Sequence, residues 1–351
     1  MTVATPEKSL PPVPATPLDD IAVVLMNMGG PDDQDSVKPF LTNLFSDPDI
    51  IRLPASWLLQ KPLAKLIVAK RGDEAKANYA KMAGGGSPQR PITEAQANAL
   101  QAALAEAGLP LPVTLAMRYW HPFTDDMLAK LWAQGKRRLV LVSLYPHFSY
   151  TTFGSNLNAL RRAAKQQNIS PEYTVVGGYA THPDYIAAMV ATVHEALEKH
   201  TWSCAQHDVQ VMFSAHSLPV QHVTRTKDPY PQLIQKCADA IMSHFPGIQW
   251  DIGYQSKVGN IPWLSPGTDG VLHYYAGLNK QNVLMIPISF VSDHIETLVE
   301  IDIDYVELAH ELGIPNCYRT AVMNTRPDYI AFLRDRVIEK LHLRGWLHAQ
   351  P

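Results

Sequence analysis

The sequence predicts an α/β protein of two similar doubly wound domains, each built on a four-stranded parallel sheet flanked by helices. Three observations carry that reading. Apolar, β-branched runs alternate with helix-like stretches along the whole chain. The runs are nearly continuous rather than alternating, as strands covered on both faces require. They also fall into two sets of four, separated near 178–183 by Gly177-Gly178 and His182-Pro183. A chain of 351 residues is long enough for two such cores.

Residues 1–19 are Pro-rich without an apolar signal core and read as a loose tail. The first strand, 21–27 (IAVVLMN), runs into Met28-Gly29-Gly30-Pro31, a glycine turn without G-x-G-x-x-G spacing. Residues 50–71 join Trp57, Leu58, Leu59, Leu63, Leu66, Ile67 and Val68 to Lys61, Lys65, Lys70 and Arg71. That mixture suits a helix packed on a core equally with one resting on an anionic membrane surface. Gly84-Gly85-Gly86-Ser87-Pro88 is no P-loop, because no Lys-Ser/Thr pair follows the glycines. Strands at 113–118, 138–144 and 174–177 complete the first set. The second strand leads into Arg118-Tyr119-Trp120-His121-Pro122 and the third into Tyr145-Pro146-His147-Phe148-Ser149. Arg118 suits a bidentate pair with a carboxylate ligand and, equally, a domain-interface salt bridge.

The second set is 209–214 (VQVMFS), 250–255 (WDIGYQ), 283–289 (VLMIPIS) and 317–322 (CYRTAV). Its first strand ends in Ala215-His216-Ser217-Leu218-Pro219, where an imidazole can take a proton near neutral pH, bind a metal, or simply cap the turn. Ser214 and Ser217 flank it, but no G-x-S-x-G elbow supports a serine hydrolase. After Tyr254-Gln255-Ser256-Lys257-Val258-Gly259, Trp263 is placed either to stack on a flat ligand or to pack on a helix. Residues 292–312 carry seven carboxylates and no Lys or Arg. At about 100° per residue, Asp293, Glu296, Glu300, Asp304, Glu307 and Glu311 lie within roughly 80° on one helix face. Like charges at that spacing repel, so the stripe is either a solvated face or a site for cations or protons. His294 inside it favours the second. A helix over 327–343 is expected to pack back on the first domain, giving domains at 20–180 and 181–326 with 327–351 as that C-terminal element.

The net charge of −3 excludes a nucleic-acid footprint, and no apolar run of 18 or more residues occurs. Cys204, Cys237 and Cys317 are far apart, so neither a disulfide framework nor a four-thiolate cluster is expected, and reduced cysteines fit the cytosol.

Taken in order, several motifs resemble those of the ferrochelatase family. They are Leu25-Met26-Asn27-Met28-Gly29-Gly30-Pro31, Tyr79 with the triple glycine, Arg118-Tyr119-Trp120-His121-Pro122 and Phe213-Ser214-Ala215-His216-Ser217-Leu218-Pro219. Asp228-Pro229-Tyr230-Pro231, Tyr254 to Gly259 with Trp263-Leu264, and Ser292-Asp293-His294-Ile295-Glu296-Thr297-Leu298 continue the series. The resemblance covers about Ile21 to Tyr329. It implies two Rossmann-like chelatase domains gripping a porphyrin, and a lyase that inserts Fe2+ with release of two protons. It makes His216 and Glu296 the catalytic pair and transient metal contacts, with Met28 on the opposite porphyrin face. It gives porphyrin-orienting roles to Tyr79, Ser87 and Arg118, and pocket positions to Trp263, Phe290 and His294. Asp293, Glu300, Asp304, Glu307 and Glu311 become a proton or metal path. Residues 50–71, with Trp57, Leu58, Leu59 and Leu63, become a lip over the pocket that also touches the membrane.

Met28 stands where the coproporphyrin branch of the family carries Tyr, so protoporphyrin IX and protohaem are the expected substrate and product. The sequence ends at Pro351 without a cysteine-bearing tail, so no [2Fe–2S] cluster and no tightly bound cofactor are expected; Fe2+ is a substrate. The partners expected are protoporphyrin IX, Fe2+ and the membrane surface, with no nucleic acid. The expectation is a cytoplasmic monomer, peripheral on the inner face of the cell membrane. A porphyrin carrier without turnover and a sirohydrochlorin cobalt chelatase are the competing readings.

Overall fold

The computed structural model describes residues 18–50, 56–203 and 209–347, with side chains left out over 56–59. Most of the N-terminal tail, Cys204 and the side chains of Trp57, Leu58 and Leu59 therefore lie outside the described residues.

Eight strands form two four-stranded parallel sheets. The first contains β1 (Ile21–Asn27), β2 (Val113–Met117), β3 (Arg138–Ser143) and β4 (Glu172–Val176), in the order β2-β1-β3-β4. The second contains β5 (Val209–His216), β6 (Gln249–Gln255), β7 (Asn282–Ile286) and β8 (Asn316–Arg319), in the order β6-β5-β7-β8. The two sheets share one topology. In each, chain order reverses beside the first strand, opening a crevice at the carboxyl ends where α/β folds bind ligands. Met28 follows β1 and the Tyr145–Ser149 loop follows β3 at one crevice. His216 ends β5, and Phe290 and His294 follow β7, at the other.

Helices cover both faces of each sheet. In the first domain these are α1 (Val37–Phe45), α2 (Ser56–Ala80), α3 (Gln89–Glu106), α4 (Thr124–Ala133) and α5 (Ser155–Gln166). Then come α6 (Pro183–Lys199), α7 (Val220–Thr226), α8 (Tyr230–Met242) and α9 (Thr268–Gly277). A π-helix (Glu296–Tyr305) runs directly into α10 (Val306–Glu311), and α11 (Pro327–Leu343) closes the chain.

The period-2 geometry of a strand explains the continuous apolar runs. On β1, Ile21, Val23 and Leu25 join a core that continues through Val193 of α6, Val211 and Phe213 of β5, and Leu333 and Val337 of α11. The intervening Ala22, Val24 and Met26 point the other way, into a cluster with Met127, Leu128, Leu131 and Leu160. With no face exposed, no polar residue can alternate in; each large aliphatic buried this way contributes about 1.5–3 kcal/mol. In the second sheet, Met212, Val283 and Met285 pack against Leu272 and Tyr275 of α9 on the outer face. The helix α11 lies on α3, β3, β4 and α6, and the Tyr329 and Tyr179 hydroxyls meet at 2.9 Å.

Some boundaries differ from the sequence reading. β7 stops at Ile286 because Pro287 has no N–H for the ladder. The acidic segment is not an α-helix from the start: over Glu296–Tyr305 it is π-helical. Its widened i→i+5 turns displace residues from a 100° plot.

Candidate active site

The site grows from the end of β5. His216 is the last strand residue, paired in register with Gln255, and its imidazole is 36% exposed. Its Nε2 lies 3.7 Å from Oε1 of Glu296, the first residue of the π-helix. The other carboxylate oxygen, Oε2, lies 3.5 Å from Nε2 of His294. At these lengths both are charge contacts rather than formed hydrogen bonds. His294 Nδ1 sits 3.1 Å from the Ser292 carbonyl. A carbonyl only accepts, so Nδ1 carries the hydrogen, and Nε2 faces Glu296 as a donor when the ring is an imidazolium. Burial pushes the Glu296 carboxyl up, but the His216 and His294 charges outweigh it and hold the group below the usual range.

Glu300, four residues on, is the opposite case. Burial raises its pKa and the Glu296 charge raises it further. The donors around it only partly offset this: Ser256 N–H (2.7 Å), Ser256 Oγ (2.5 Å), Tyr305 hydroxyl (3.0 Å) and Gln255 Nε2 (3.0 Å). Ser256 reaches Glu300 from a left-handed backbone conformation, φ 63°. The same Gln255 amide donates to the Glu296 carbonyl at 3.1 Å, and its oxygen accepts from Ser214. Two neighbouring carboxyls are thus driven apart, one ionised and one inclined to hold a proton. That is the arrangement of an acid–base relay.

The stripe of six carboxylates needs correction beyond these two. Asp293 is not in line with Glu300. It accepts from Arg319 Nη2 (2.9 Å), Thr297 Oγ1 (3.0 Å) and Asn324 Nδ2 (2.7 Å), anchoring the segment where the π-helix begins. Asp302, off the stripe, shares Arg319. Asp304 pairs with Lys81 of the first domain at 2.8 Å. Glu307 and Glu311 are exposed on the α10 surface. The missing cations come from other parts of the chain.

Across the site, Tyr79 is buried against Val299 of the π-helix. Burial and then the Glu296 charge hold its phenol protonated. Met28 is half-buried after β1, its N–H donating to Asn27 Oδ1 at 2.8 Å. Ser87 is buried directly over Gly30, where any Cβ would stand 2.6 Å from Ser87 Oγ. Arg118 shows the ion-pair alternative, but within its own domain. Its Nη2 meets the buried Asp47 at 2.8 Å and its Nε donates to Ser155 at 2.7 Å. Trp263 is half-buried rather than open, donating to the Val258 carbonyl at 3.1 Å and bridging to Pro219 beside the His216 loop. The Phe290 ring stands edge-on to His294 at 4.6 Å. Leu63 is half-buried on α2, whereas Lys61, Lys65, Leu66 and Lys70 are exposed there.

Asp47, Gln255 and Ser256 were not foreseen as site residues. Gln255 and Ser256 belong to the Tyr254–Gly259 segment; nothing in the sequence marks Asp47. No group of three or more His, Cys, Asp or Glu among the described residues forms a metal cage. The 3.7 Å between His216 and Glu296 does admit an ion about 2.1 Å from each. No helix among the described residues is long and apolar enough to cross a membrane.

Known proteins resemble this chain along most of its length. The ferrochelatase family profile matches residues 20–341. The ferrochelatase of Rippkaea orientalis is 44% identical over 329 residues, covering 92% of this chain and 83% of that protein. That of a Synechocystis species is 42% identical over 326 residues with the same coverage. The chloroplastic ferrochelatase-2 of Arabidopsis thaliana is 41% identical over 332 residues, covering 93% of this chain and 64% of its own. Among solved structures, SirB from Bacillus subtilis with Fe3+ superposes with a TM-score of 0.52 over 93% of this chain and 98% of that one. At 12% identity that likeness concerns the fold alone. With profile, relatives and fold in agreement, the chain belongs to the ferrochelatase family, the lyases that insert ferrous iron into a porphyrin in haem synthesis.

Proposed function

We propose that this ferrochelatase acts on protoporphyrin IX, with His216 as the base that takes pyrrole protons from one face and Glu296 as its ionised partner. The carrying observation is the gradient at the site: a half-exposed imidazole, a buried carboxylate held ionised, then a buried carboxyl with a raised pKa. Metallation exchanges two pyrrole N–H protons for one Fe2+. A neutral His216 Nε2 accepts a proton, and the imidazolium formed is stabilised by Glu296 at 3.7 Å. Glu300 then holds and passes protons towards Asp304 at the surface. The separation of His216 and Glu296 also supports a second reading, in which the pair contacts the incoming iron before the ring does.

Met28 at the opposite side favours protoporphyrin IX over coproporphyrin III. Tyr79, Ser87, Trp263, Phe290 and His294 wall the porphyrin, and Arg118, steadied by Asp47, faces its propionates. The exposed Lys61, Lys65, Leu66 and Lys70 of α2 suit peripheral contact with an anionic membrane. We place the enzyme as a monomer in the cytoplasm, on the inner face of the cell membrane, without an iron–sulphur cluster.

The test is anaerobic turnover of Fe2+ with protoporphyrin IX and, in parallel, coproporphyrin III, followed by absorption. Wild type should prefer protoporphyrin IX. His216→Ala should lose turnover while retaining porphyrin affinity. Stoichiometric binding without turnover would make the chain a carrier, and a preference for coproporphyrin III would overturn the substrate assignment.

A further inference from the structure

We infer that Tyr230 and Ser289 are positioning residues for His216, acting through a closed hydrogen-bonded ring on its own peptide groups; the role rests on the functional reading above. Pairing of β5 with β7 ends at Phe213 and Ile286, and Pro287 follows. Past Pro287, Ile288 N–H still donates to the Ser214 carbonyl at 3.2 Å, but His216 at the end of β5 lies beyond the register of that ladder. Side chains replace it. His216 N–H donates to Ser289 Oγ at 3.2 Å, and the Tyr230 hydroxyl donates to the His216 carbonyl at 2.9 Å. The two hydroxyls lie 2.7 Å apart. A phenol has one hydrogen, and the carbonyl takes it, so Ser289 must donate to Tyr230. The donors then run in one rotational sense, from His216 to Ser289 to Tyr230 and back to His216. Such a circuit strengthens each of its members.

The ring grips the amide and the carbonyl on either side of the His216 α-carbon. It therefore fixes the direction in which the side chain leaves the strand, and with it the approach of Nε2 to Glu296. Tyr230 is itself buried, which holds its phenol protonated. Its N–H donates to Asp228 Oδ1 at 3.0 Å. The other oxygen of Asp228 accepts from Ser149 Oγ (2.8 Å) and Tyr150 N–H (2.9 Å) of the first domain. Burial pushes the Asp228 carboxyl up, and His222, its Nε2 3.5 Å from the same oxygen, together with these donors brings it below its usual range, keeping it an acceptor. The orientation of His216 is thus keyed to the domain on the other side of the porphyrin.

The experiment compares Tyr230→Phe, Ser289→Ala, the double variant and Ser289→Thr in the anaerobic insertion assay, with thermal melts and porphyrin fluorescence titrations on each. Each single loss of a hydroxyl should lower kcat roughly tenfold at nearly unchanged KM and porphyrin affinity. A ring opened once cannot be opened again, so the double variant should match the singles rather than multiply them. Ser289→Thr, which keeps the hydroxyl, should retain kcat within about threefold. Multiplicative losses, a change confined to KM, or lowered melting at unchanged kcat would overturn the positioning role alone. A wild type without turnover would overturn the functional reading and the role with it.

Discussion

Mild acid should destabilise this protein through one residue outside the proposed catalytic pair, His147. Its side chain is 2% exposed, and neither ring nitrogen has a hydrogen-bond partner among the described residues. Its nearest aromatic neighbour is Tyr230, edge-on with centroids 6.1 Å apart. Burial alone pushes the imidazole down to about 3. Unfolded, the same ring titrates at about 6.5. Between those values the unfolded chain binds a proton that the native chain refuses, so stability falls as pH falls. The slope is about 1.4 kcal/mol per pH unit, starting near 6.5, which gives about 2 kcal/mol lost between pH 7 and pH 5. Above 6.5 the group contributes no pH dependence.

The control is His147→Phe, which keeps an aromatic ring edge-on to Tyr230 and removes the titrating site. Urea unfolding of both proteins, followed by tryptophan fluorescence at pH 7, 6 and 5, isolates the effect, because every other titrating group is common to the pair. The wild type should lose about 2 kcal/mol more than the variant over that interval. At pH 7 the variant should be no less stable, since two desolvated nitrogens without partners have been removed. Parallel pH dependences would refute the reasoning and mean that His147 is already protonated or already hydrated in the native state.

Glu296→Gln keeps the shape of the site and deletes the charge facing two imidazoles; kcat should fall by about 10²–10⁴ with porphyrin affinity retained, measured by turnover and fluorescence titration. Arg319→Gln should destabilise by about 3 kcal/mol in chemical denaturation, because it strands Asp293 and Asp302 beside a position only 12% exposed. Lys81→Ala, in a pair with both members more than a third exposed, should change stability by less than about 1 kcal/mol, and by less still at high salt.

These residues also show which features were legible in sequence. The sheets were, because two buried faces admit only runs such as Ile21–Met26, and such runs stand out against amphipathic helices. His216, His294 and Glu296 stand out through the motifs that resemble those of the family, Phe213–Pro219 and Ser292–Leu298; the residues alone leave His216 open between a site and a turn cap. The charge balance of the acidic segment could not be found. Lys81 reaches Asp304 from 223 residues away, and Arg319 arrives from the next strand. Locally the stripe looks unrelieved; in space Asp293 and Asp304 meet Arg319 and Lys81, and Glu296 faces two imidazoles. Nor does composition distinguish i→i+5 from i→i+4 bonding, so a plot at 100° per residue grouped Asp293 with Glu300 although the structure turns one to Arg319 and the other to Ser256. For Arg118 the sequence leaves a carboxylate ligand and a domain-interface ion pair open, and the structure pairs it with Asp47 of its own domain, a partner no local pattern announces.

Beside the shared core, several contacts between the domains fall on the elements that carry the candidate site residues. Val37, Tyr79 and Met82 of the first domain pack on Val299 in the middle of the π-helix. Lys81 holds Asp304 near its far end. Before its start, the fully buried Gln96 donates to the carbonyls of Val291 (3.2 Å) and Asn324 (2.8 Å), and Asn324 in turn holds Asp293. Ser149 and Tyr150 bind Asp228, two residues before the Tyr230 that braces His216. Two domains that needed only to adhere could touch anywhere along their flanks. Here the first domain grips the elements that carry Glu296, Glu300 and His216. On the proposed reading, a porphyrin seated between the domains could not displace one from the other without moving the row formed by His216, Glu296 and Glu300, so binding energy gained at the walls and propionates would act on the geometry of the reacting groups. Interactions that strengthen only as the reaction proceeds are the ones that raise kcat, and a ligand wedged against such an interface is placed to exploit them.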